Sequence, residues 1–426
     1  MLSLRCPRSA PFGDPDDVGE PLSELTRNLK NAMNAIRTVN QEEVEQWFEE
    51  EDSEYSPGGV QGLDVAEKYA RSQLRVVRET KDYQLDYLRH ALQPGKELID
   101  TSPGYQRRLR WPNKKRSLLI ESFLLNIPVP PVFLFEHDYN AYEVIDGRQR
   151  IETIRSFLAN NFALSSLEYW PELNRKRFND LPLVLQKGLL RRSLPAVVLL
   201  AETRGVGTDD IDVRRVLFDR LNTGGIRLNP QELRNALYPG ALNAMLIRLA
   251  RSTPFTTTWG IPPYSNNEEQ EPAEELLKNP LFASLADAEL VLRFFALRDA
   301  IENDGAGSLR RIMDRYMETN KELGTLDERV LEDEFMGLLG RLVALFDGEP
   351  FRLPTTNRPS RPLYDALMIA LSQHPGTNIE GRQVEIRGAL AAALEDSKSY
   401  DVLVGRGNTL DAVRQRVALA TQILQS

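Results

Sequence analysis

An α+β region followed by an all-α region is the fold class that this 426-residue sequence predicts. Between residues 83 and 240, short apolar runs bounded by turn residues alternate with stretches of helical periodicity. From residue 241 to residue 426 the periodicity is helical almost throughout. Since domains usually hold roughly 100–200 residues, we expect three parts: a helical extension with a flexible linker at 1–82, an α+β domain at 83–240 and a helical domain at 241–426.

The first 82 residues predict helices that are separated by turn-rich segments. Apolar spacing fits short amphipathic helices at 22–39 and 41–51. The sequence Pro57-Gly58-Gly59 is typical of a linker. The stretch 66–92 then predicts one long helix that leads into the α+β region.

Within the α+β region, a helix at 115–126 is ended by Pro128, Pro130 and Pro131, because proline cannot continue the hydrogen-bond ladder. Strands are predicted at 132–135 and 142–145, and a third at 196–200. Further helices are predicted at 151–158 and at 210–221. Another helix should begin at Asn229-Pro230-Gln231-Glu232, which combines an N-cap residue, a first-turn proline and a capping box.

The C-terminal part predicts a succession of helices. Apolar residues recur at helical spacing in five stretches, at 289–300, 309–322, 331–346, 363–373 and 410–424. A segment rich in proline, asparagine and arginine at 354–362 separates two of them. We therefore expect a helical bundle there and no further sheet.

Composition excludes several classes of protein. The net charge of −9 and pI of about 5.2 argue against a uniformly basic nucleic-acid binder. One cysteine, Cys6, excludes an internal disulfide framework and fits a reducing cytoplasm. Three scattered histidines show no metal-ligand spacing. The apolar runs are too short to span a bilayer and no signal peptide is visible, so we expect a cytoplasmic protein without a membrane partner.

The segment 145–150 carries the strongest candidate site, because it joins a strand to a helix through a glycine. Gly147 permits a sharp turn, and the helix start offers N–H donors and a positive dipole end to an anion. Arg148 and Arg150 add fork-shaped donors that match phosphate oxygens. Asp146 could cap the helix, or it could organise a metal ion or a water molecule. The alternative is a solvated turn whose arginines pair with surface carboxylates.

Two further clusters have ligand-binding character. Tyr105, Gln106 and Arg107, followed by Trp111, could hold a phosphate or stack on a base. A second group, at 220–225, could point at a ligand or could simply end a helix at its two glycines. The residues of this second group are Arg220, Asn222, Gly224 and Gly225.

A basic strip at 105–116 contains six cationic residues and no acid. It predicts contact with a nucleic-acid backbone or an acidic partner, and the alternative is a solvated loop. The nucleic-acid-binding candidates are Arg108, Arg110, Lys114, Lys115 and Arg116.

The order of these motifs resembles the N-terminal domain family of GmrSD-type, modification-dependent restriction systems. That family places a Tyr-Gln-Arg…Trp segment before a Pro-x-Pro-Pro strand, an Ile-Asp-Gly-Gln-Gln-Arg motif and an Arg-Leu-Asn-x-Gly-Gly…Glu-Leu-Arg segment. The matching residues here span about 83–238, and Arg148 stands where the family usually has glutamine. They are Tyr105, Gln106, Arg107, Trp111, Pro128, Pro130, Pro131, Ile145, Asp146, Gly147, Gln149, Arg150, Arg220, Leu221, Asn222, Gly224, Gly225, Leu228, Glu232, Leu233 and Arg234.

The resemblance implies a ParB/sulfiredoxin-like fold for 83–240, with nucleotide phosphates held at the 146–150 corner. It implies a nucleoside triphosphate as ligand, Mg²⁺ as an accompanying ion, and Asp146, Gln149 and Arg150 as catalytic residues of an antiphage or DNA-modification-sensing component. Restriction members carry a second, histidine-containing nuclease domain, whose motif this sequence does not show. We therefore expect DNA and a nuclease or other defence protein as partners, and oligomerisation.

Two rival functions stay open at this point. One is a metal-dependent DNA nuclease in which Asp146 and Glu232 hold the ion. The other is a non-catalytic adaptor that binds DNA or a protein through the basic strip.

Overall fold

The computed structural model describes residues 38–53, 77–92, 98–100, 111–138, 140–200, 228–266, 268, 272–405 and 407–426. All strands of its sheet lie before residue 200, and the described elements after residue 229 are helical. The predicted fold class, α+β followed by all-α, is therefore confirmed. The predicted helix at 210–221 lies outside the described residues.

Among the residues that the structure describes, a sheet of five strands organises the first part of the chain. The strands are β1 (Arg78–Gln84), β2 (Ile99–Asp100), β3 (Val132–Asp138), β4 (Ala141–Asp146) and β5 (Ser193–Leu199). Their order across the sheet is β1-β5-β3-β4-β2. The β3–β4 and β1–β5 pairs are antiparallel, whereas β3–β5 and β2–β4 are parallel.

The sheet is buried on both faces, and alternate side chains serve different cores. Leu134, Val144 and Val198 point to one side, where they pack with the helices of the α+β region. Phe135 and Ile145 point to the other side and join the core of the helical region. The two parts of the chain therefore pack on opposite faces of the sheet, which explains why apolar residues are adjacent in sequence at 132–135 of β3 and at 196–199 of β5.

Four of the described helices pack on the first face of the sheet, and α1 (Gln41–Ser53) is not among them. Those that cover the sheet are α2 (Leu85–Ala91), α3 (Asn113–Leu124), α4 (Arg148–Leu158) and α5 (Leu183–Leu190). The carboxylate of Glu121 in α3 is buried and accepts three main-chain N–H groups, from Glu168, Tyr169 and Trp170, at 2.8–3.1 Å. This carboxylate fixes the loop that follows α4 against α3.

The prediction of one helix over 66–92 is wrong for its described part, 77–92. Residues Arg78–Gln84 form β1, and only Leu85–Ala91 are helical. The sequence of this strand is polar, and its side chains are exposed or half-buried at the sheet edge. No apolar alternation therefore marked it, and only pairing with β5 along seven residues reveals it.

The helical region consists of α6 (Pro230–Leu237), α7 (Ala241–Ala250), α8 (Thr253–Trp259), α9 (Glu274–Lys278), α10 (Pro280–Ala283), α11 (Ala286–Glu302), α12 (Leu309–Thr319), α13 (Thr325–Leu345), α14 (Arg361–Gln373), α15 (Gln383–Glu395), α16 (Ser397–Val404) and α17 (Leu410–Gln425). The predicted capping box of α6 is confirmed, since Asn229 Oδ1 accepts from the Glu232 amide at 2.8 Å. In return, Glu232 Oε2 accepts from the Asn229 amide at 3.0 Å.

Helix α1 belongs to the core of this helical region. Its apolar residues Val44, Trp47 and Phe48 are buried there, and the Trp47 ring meets Trp259 edge-on at 6.3 Å. The predicted division at residues 82/83 and 240/241 stays a prediction. In the described part of the chain, no helix is both long and apolar enough to cross a membrane.

Candidate functional site

The strand-to-helix corner that the sequence singled out is built around Gly147. Strand β4 ends at Asp146, helix α4 begins at Arg148, and Gly147 between them has φ = 95°. Only glycine adopts this left-handed conformation without strain. A Cβ at this position would also overlap the side chain of Val132 on β3. Backbone conformation and packing thus both require glycine here.

Asp146 and Arg150 form an ion pair across this turn. Arg150 Nη2 donates to Asp146 Oδ2 at 2.8 Å and to the main-chain carbonyl of Pro131 at 3.1 Å. The Nε of Arg150 is buried and has no hydrogen-bond partner among the described residues. Both side chains keep partial access to solvent, at 15% for Arg150 and 31% for Asp146. The guanidinium is therefore held in place by the chain and still accessible.

The alternative that Asp146 caps the following helix is wrong. The N-cap of α4 is Gly147, and no side chain in the described part of the chain caps it. The carboxylate of Asp146 is drawn instead to Arg150, one helical turn along the chain. The Gly147 carbonyl accepts the first hydrogen bonds of α4, from the amides of Arg150 and Ile151. The amides that come before Arg150 in the helix cannot form such intrahelical bonds.

Arg148 and Gln149 extend the corner in two directions. Arg148 Nε lies 3.5 Å from the carboxylate of Glu152 on the same helix. Gln149 Oε1 accepts the main-chain amide of Trp111 at 3.2 Å. The structure thus brings Trp111, predicted together with Tyr105, Gln106 and Arg107, next to the 146–150 corner. Chemically, the corner combines two guanidinium groups, one carboxylate, an amide side chain and a helix start, a set that suits an anion.

The described part of the basic strip divides into exposed and anchored residues. Lys114 and Lys115 are exposed, and Lys115 Nζ lies 4.4 Å from the centre of the Trp111 ring. Arg116 donates from Nη2 to Ser156 Oγ at 2.8 Å, and its guanidinium covers the Phe162 ring at 3.8 Å. Arg116 therefore connects α3 to α4, while the two lysines face outward.

Nine of the residues predicted for the site lie outside the described part of the chain. They are Tyr105, Gln106, Arg107, Arg108, Arg110, Arg220, Asn222, Gly224 and Gly225.

Glu232 and Arg234, from the Glu-Leu-Arg segment that resembles the family motif, make their contacts within the protein. Glu232 completes the capping box of α6. Arg234 is fully buried and forms ion pairs with three carboxylates: Glu51 of α1, Glu289 at 3.3 Å and Asp314 at 2.8 Å. These contacts attach α1, α11 and α12 to α6. Sequence reasoning missed this charged centre, because the partners of Arg234 come from three helices far away in the sequence.

The two carboxylates that the nuclease hypothesis assigned to a metal ion thus have other partners, Arg150 for Asp146 and Asn229 for Glu232. Among the described residues, no group of three or more acidic, histidine or cysteine side chains could hold a metal ion. The described corner therefore offers a metal ion a single carboxylate, Asp146.

Comparison with known families agrees with the motif order. The family model described as the N-terminal domain of the GmrSD restriction endonuclease matches residues 88–239. This range holds α3, α4, strands β2 to β5 and the whole 146–150 corner. Among curated proteins and among solved structures, no match was found. Residues 88–239 therefore form a domain of the GmrSD N-terminal family, as the order of motifs predicted.

Proposed function

We propose that this protein is the nucleotide-binding component of a restriction-type defence system and that the 146–150 corner binds the phosphates of a nucleoside triphosphate. The observation that supports this most is the Arg150 guanidinium, which is fixed by Asp146 and by Pro131 at the start of α4 and still keeps access to solvent. A fixed guanidinium beside an uncapped helix start is a favourable environment for phosphate oxygens. The family match supports the defence role.

We propose hydrolysis as the second step of this function. Asp146 would orient an attacking water or Mg²⁺ beside the bound phosphate, and Arg150 would stabilise the charge that develops on it. The side-chain amide of Gln149 would donate toward the same phosphate while its oxygen remains bonded to Trp111. These roles use only atoms that lie at or next to the strand-to-helix turn.

Calorimetric titration with each nucleoside triphosphate tests the binding proposal. Arg150→Ala should weaken binding about tenfold or more, roughly the effect of one charge-assisted hydrogen bond. Arg155→Ala removes an exposed arginine from the same helix and is the matched control, which should keep the wild-type affinity. Equal affinity of the Arg150→Ala variant and the wild type would refute the phosphate-binding corner.

Hydrolysis is tested separately with Asp146→Asn. The variant should still bind nucleotide, because the asparagine oxygen can accept from Arg150. Phosphate release should fall to background, since the neutral amide no longer holds a cation or activates a water. Turnover by a folded Asp146→Asn protein would remove Asp146 from the catalytic residues and leave the binding proposal intact.

We propose contact with DNA through Lys114 and Lys115 as a second part of the function. Both side chains are exposed at the start of α3, and Trp111 beside them offers a ring on which a base could stack. Because the protein as a whole is acidic, attraction to DNA would have to come from such a local surface.

A further inference from the structure

A cleft of about 430 Å³ lies in the helical region, between α1 and the ends of α14 and α17. Its lining includes two glutamates of α1, Glu43 and Glu50, on one side. Four arginines and Asn408 line it as well. Arg358 pairs with Glu43 at 3.4 Å. The other three, Arg293, Arg361 and Arg416, are buried. None of these residues belongs to the 146–150 corner, so the cleft is a separate site.

Arg416 stands out because it is buried without a carboxylate partner among the described residues. Its side chain is almost inaccessible, at 2% exposure. Nε donates to the Val402 carbonyl at 3.4 Å, and Nη2 donates to those of Gly405 and Gly407 at 3.2 and 2.7 Å. These bonds fix the guanidinium without bringing a described carboxylate into contact with it, and they do not use Nη1.

Arg293 contributes a second unused amino group. Its Nε and Nη2 hold Asp365 at 3.2 and 2.5 Å, and neither bond uses Nη1. Arg361 is bound to Glu50 at 3.1 Å and lies 3.9 Å from Glu289. Arg293 and Arg416 thus each keep one amino group, Nη1, that is not bonded to a carboxylate in the described part of the chain.

The three guanidinium groups are close enough to repel one another. Burial, and then the nearby Arg293 guanidinium, lower the pKa of Arg361 to about 10. Burial also lowers the pKa of Arg416; the nearby Asp365 carboxylate partly offsets this effect, and Arg293 adds to it. An anion bound beside Arg416 would reduce this repulsion, and it would give that desolvated guanidinium a negative charge in direct contact, which Arg293 and Arg361 already have in Asp365 and Glu50.

Asn408 supplies a neutral donor at the same place. Its Nδ2 is buried and has no hydrogen-bond partner in the part of the chain that the structure describes. A buried donor without a partner is costly unless a ligand or water satisfies it. Arg293, Arg416 and Asn408 all line the same cleft.

We propose that this cleft binds a small phosphomonoester of about mononucleotide size. Its volume falls within the range of small-molecule sites, roughly 300–1,000 Å³. Guanidinium groups and an amide donor match the oxygens of a phosphate monoester. The acidic wall of Glu42, Glu43 and Glu50 disfavours a long polyanion such as DNA, so the ligand is small.

The test uses the full chain carrying Arg150→Ala, which weakens binding at the corner, and the comparison with and without Asn408→Ala separates binding at the cleft from any that remains at the corner. Adenosine 5′-monophosphate, guanosine 5′-monophosphate and inorganic phosphate are titrated separately by calorimetry. Saturable binding of at least one of them is expected. Adding Asn408→Ala should weaken it about tenfold, whereas Arg414→Gln, a change at a partly exposed arginine on α17, should leave it unchanged.

Arg416→Gln should abolish binding, and circular dichroism reports whether that variant keeps its fold. Because Asn408 Nδ2 makes no bond within the described chain, the Asn408→Ala variant decides the matter even if the arginine variant unfolds. No saturable binding of any of the three compounds, or the same affinity with and without Asn408→Ala, would overturn the proposal. The proposal would also be overturned if a 5′-phosphorylated oligonucleotide bound more strongly than the mononucleotides and lost this binding with Asn408→Ala. The ligand of the cleft would then be the phosphorylated end of a nucleic acid.

Discussion

The main-chain amide of Trp111 donates to the side-chain oxygen of Gln149 at 3.2 Å, and this bond joins two sequence motifs that lie 38 positions apart. Trp111 therefore lies beside the corner that we propose for phosphate, and Lys115 lies against the ring of the same tryptophan. The basic strip and the corner are neighbours through this residue. A DNA strand on the lysines and a nucleotide at the corner would thus lie near each other.

Gly147→Ala should destabilise the protein by about 2 kcal/mol and weaken nucleotide binding at the proposed site. Alanine in the left-handed conformation costs about 1–2 kcal/mol, and its Cβ would press on Val132. The shift needed to relieve this contact would displace the helix start. Chemical denaturation and nucleotide titration measure the two effects.

Gly188→Ala is the matched control for that change. Gly188 lies in α5, and a Cβ there would meet no atom within 4 Å. Alanine should therefore leave stability unchanged or raise it by up to about 1 kcal/mol. If Gly147→Ala and Gly188→Ala change the free energy of unfolding by the same amount, the positive φ at residue 147 does not require glycine.

Replacing Lys114 and Lys115 together by alanine should reduce DNA affinity and flatten its dependence on salt. If both lysines touch phosphates, the slope of log affinity against log salt should fall by about two, close to one per contact. Arg116 is left in place because its contacts with Ser156 and Phe162 stabilise the fold. A titration series from low to moderate salt measures the slope.

Lys176 and Lys187 provide the control, because both are exposed and their replacement removes the same charge. The Lys176→Ala, Lys187→Ala protein should retain the wild-type slope. A loss of slope in both double variants would mean that only overall charge matters, and that α3 carries no specific DNA contact.

The parts of the fold that local sequence specifies were predicted well. The helix start at Asn229 and the turn at Gly147 were both anticipated, because capping boxes and glycine turns are local features. Strand β1 was missed because its stability comes from pairing with β5, more than a hundred residues away. The burial of Arg234 was equally hidden, since its partner Glu51 lies 183 positions earlier in the chain.

Arg234→Met should lower the free energy of unfolding by about 3–5 kcal/mol. Methionine leaves the carboxylates of Glu51, Glu289 and Asp314 buried without the cation that they share. Arg248→Met is the control, because Arg248 also pairs with two carboxylates, those of Glu328 and Glu332, but is about half exposed. That change should cost no more than about 1 kcal/mol. Urea denaturation compares the two variants, and similar losses would mean that the buried cluster contributes no more than a surface pair.

Glu289→Gln should change how stability depends on pH. Burial, and then the neighbouring Glu51 carboxylate, raise the pKa of Glu289 from 4.5 to about 8. An acid whose pKa is raised on folding contributes stability that is complete below its unfolded pKa and is lost as the pH rises through the folded pKa. Glutamine does not titrate. The wild type should therefore lose stability relative to the Glu289→Gln variant between about pH 5 and pH 8, on the order of 3–4 kcal/mol.

Urea denaturation of both proteins at pH 5, 6, 7 and 8 provides the measurement, and only the difference between them is compared, so that other titrating groups cancel. Arg234 keeps its charge throughout, because Glu51 and Asp314 hold the pKa of its guanidinium well above the ordinary value. The same cluster then contains a fixed cation and a carboxyl group, that of Glu289, whose raised pKa keeps its proton at neutral pH. A difference in stability that stays constant from pH 5 to pH 8 would show that burial does not raise the pKa of Glu289 and that its carboxylate is ionised across this range.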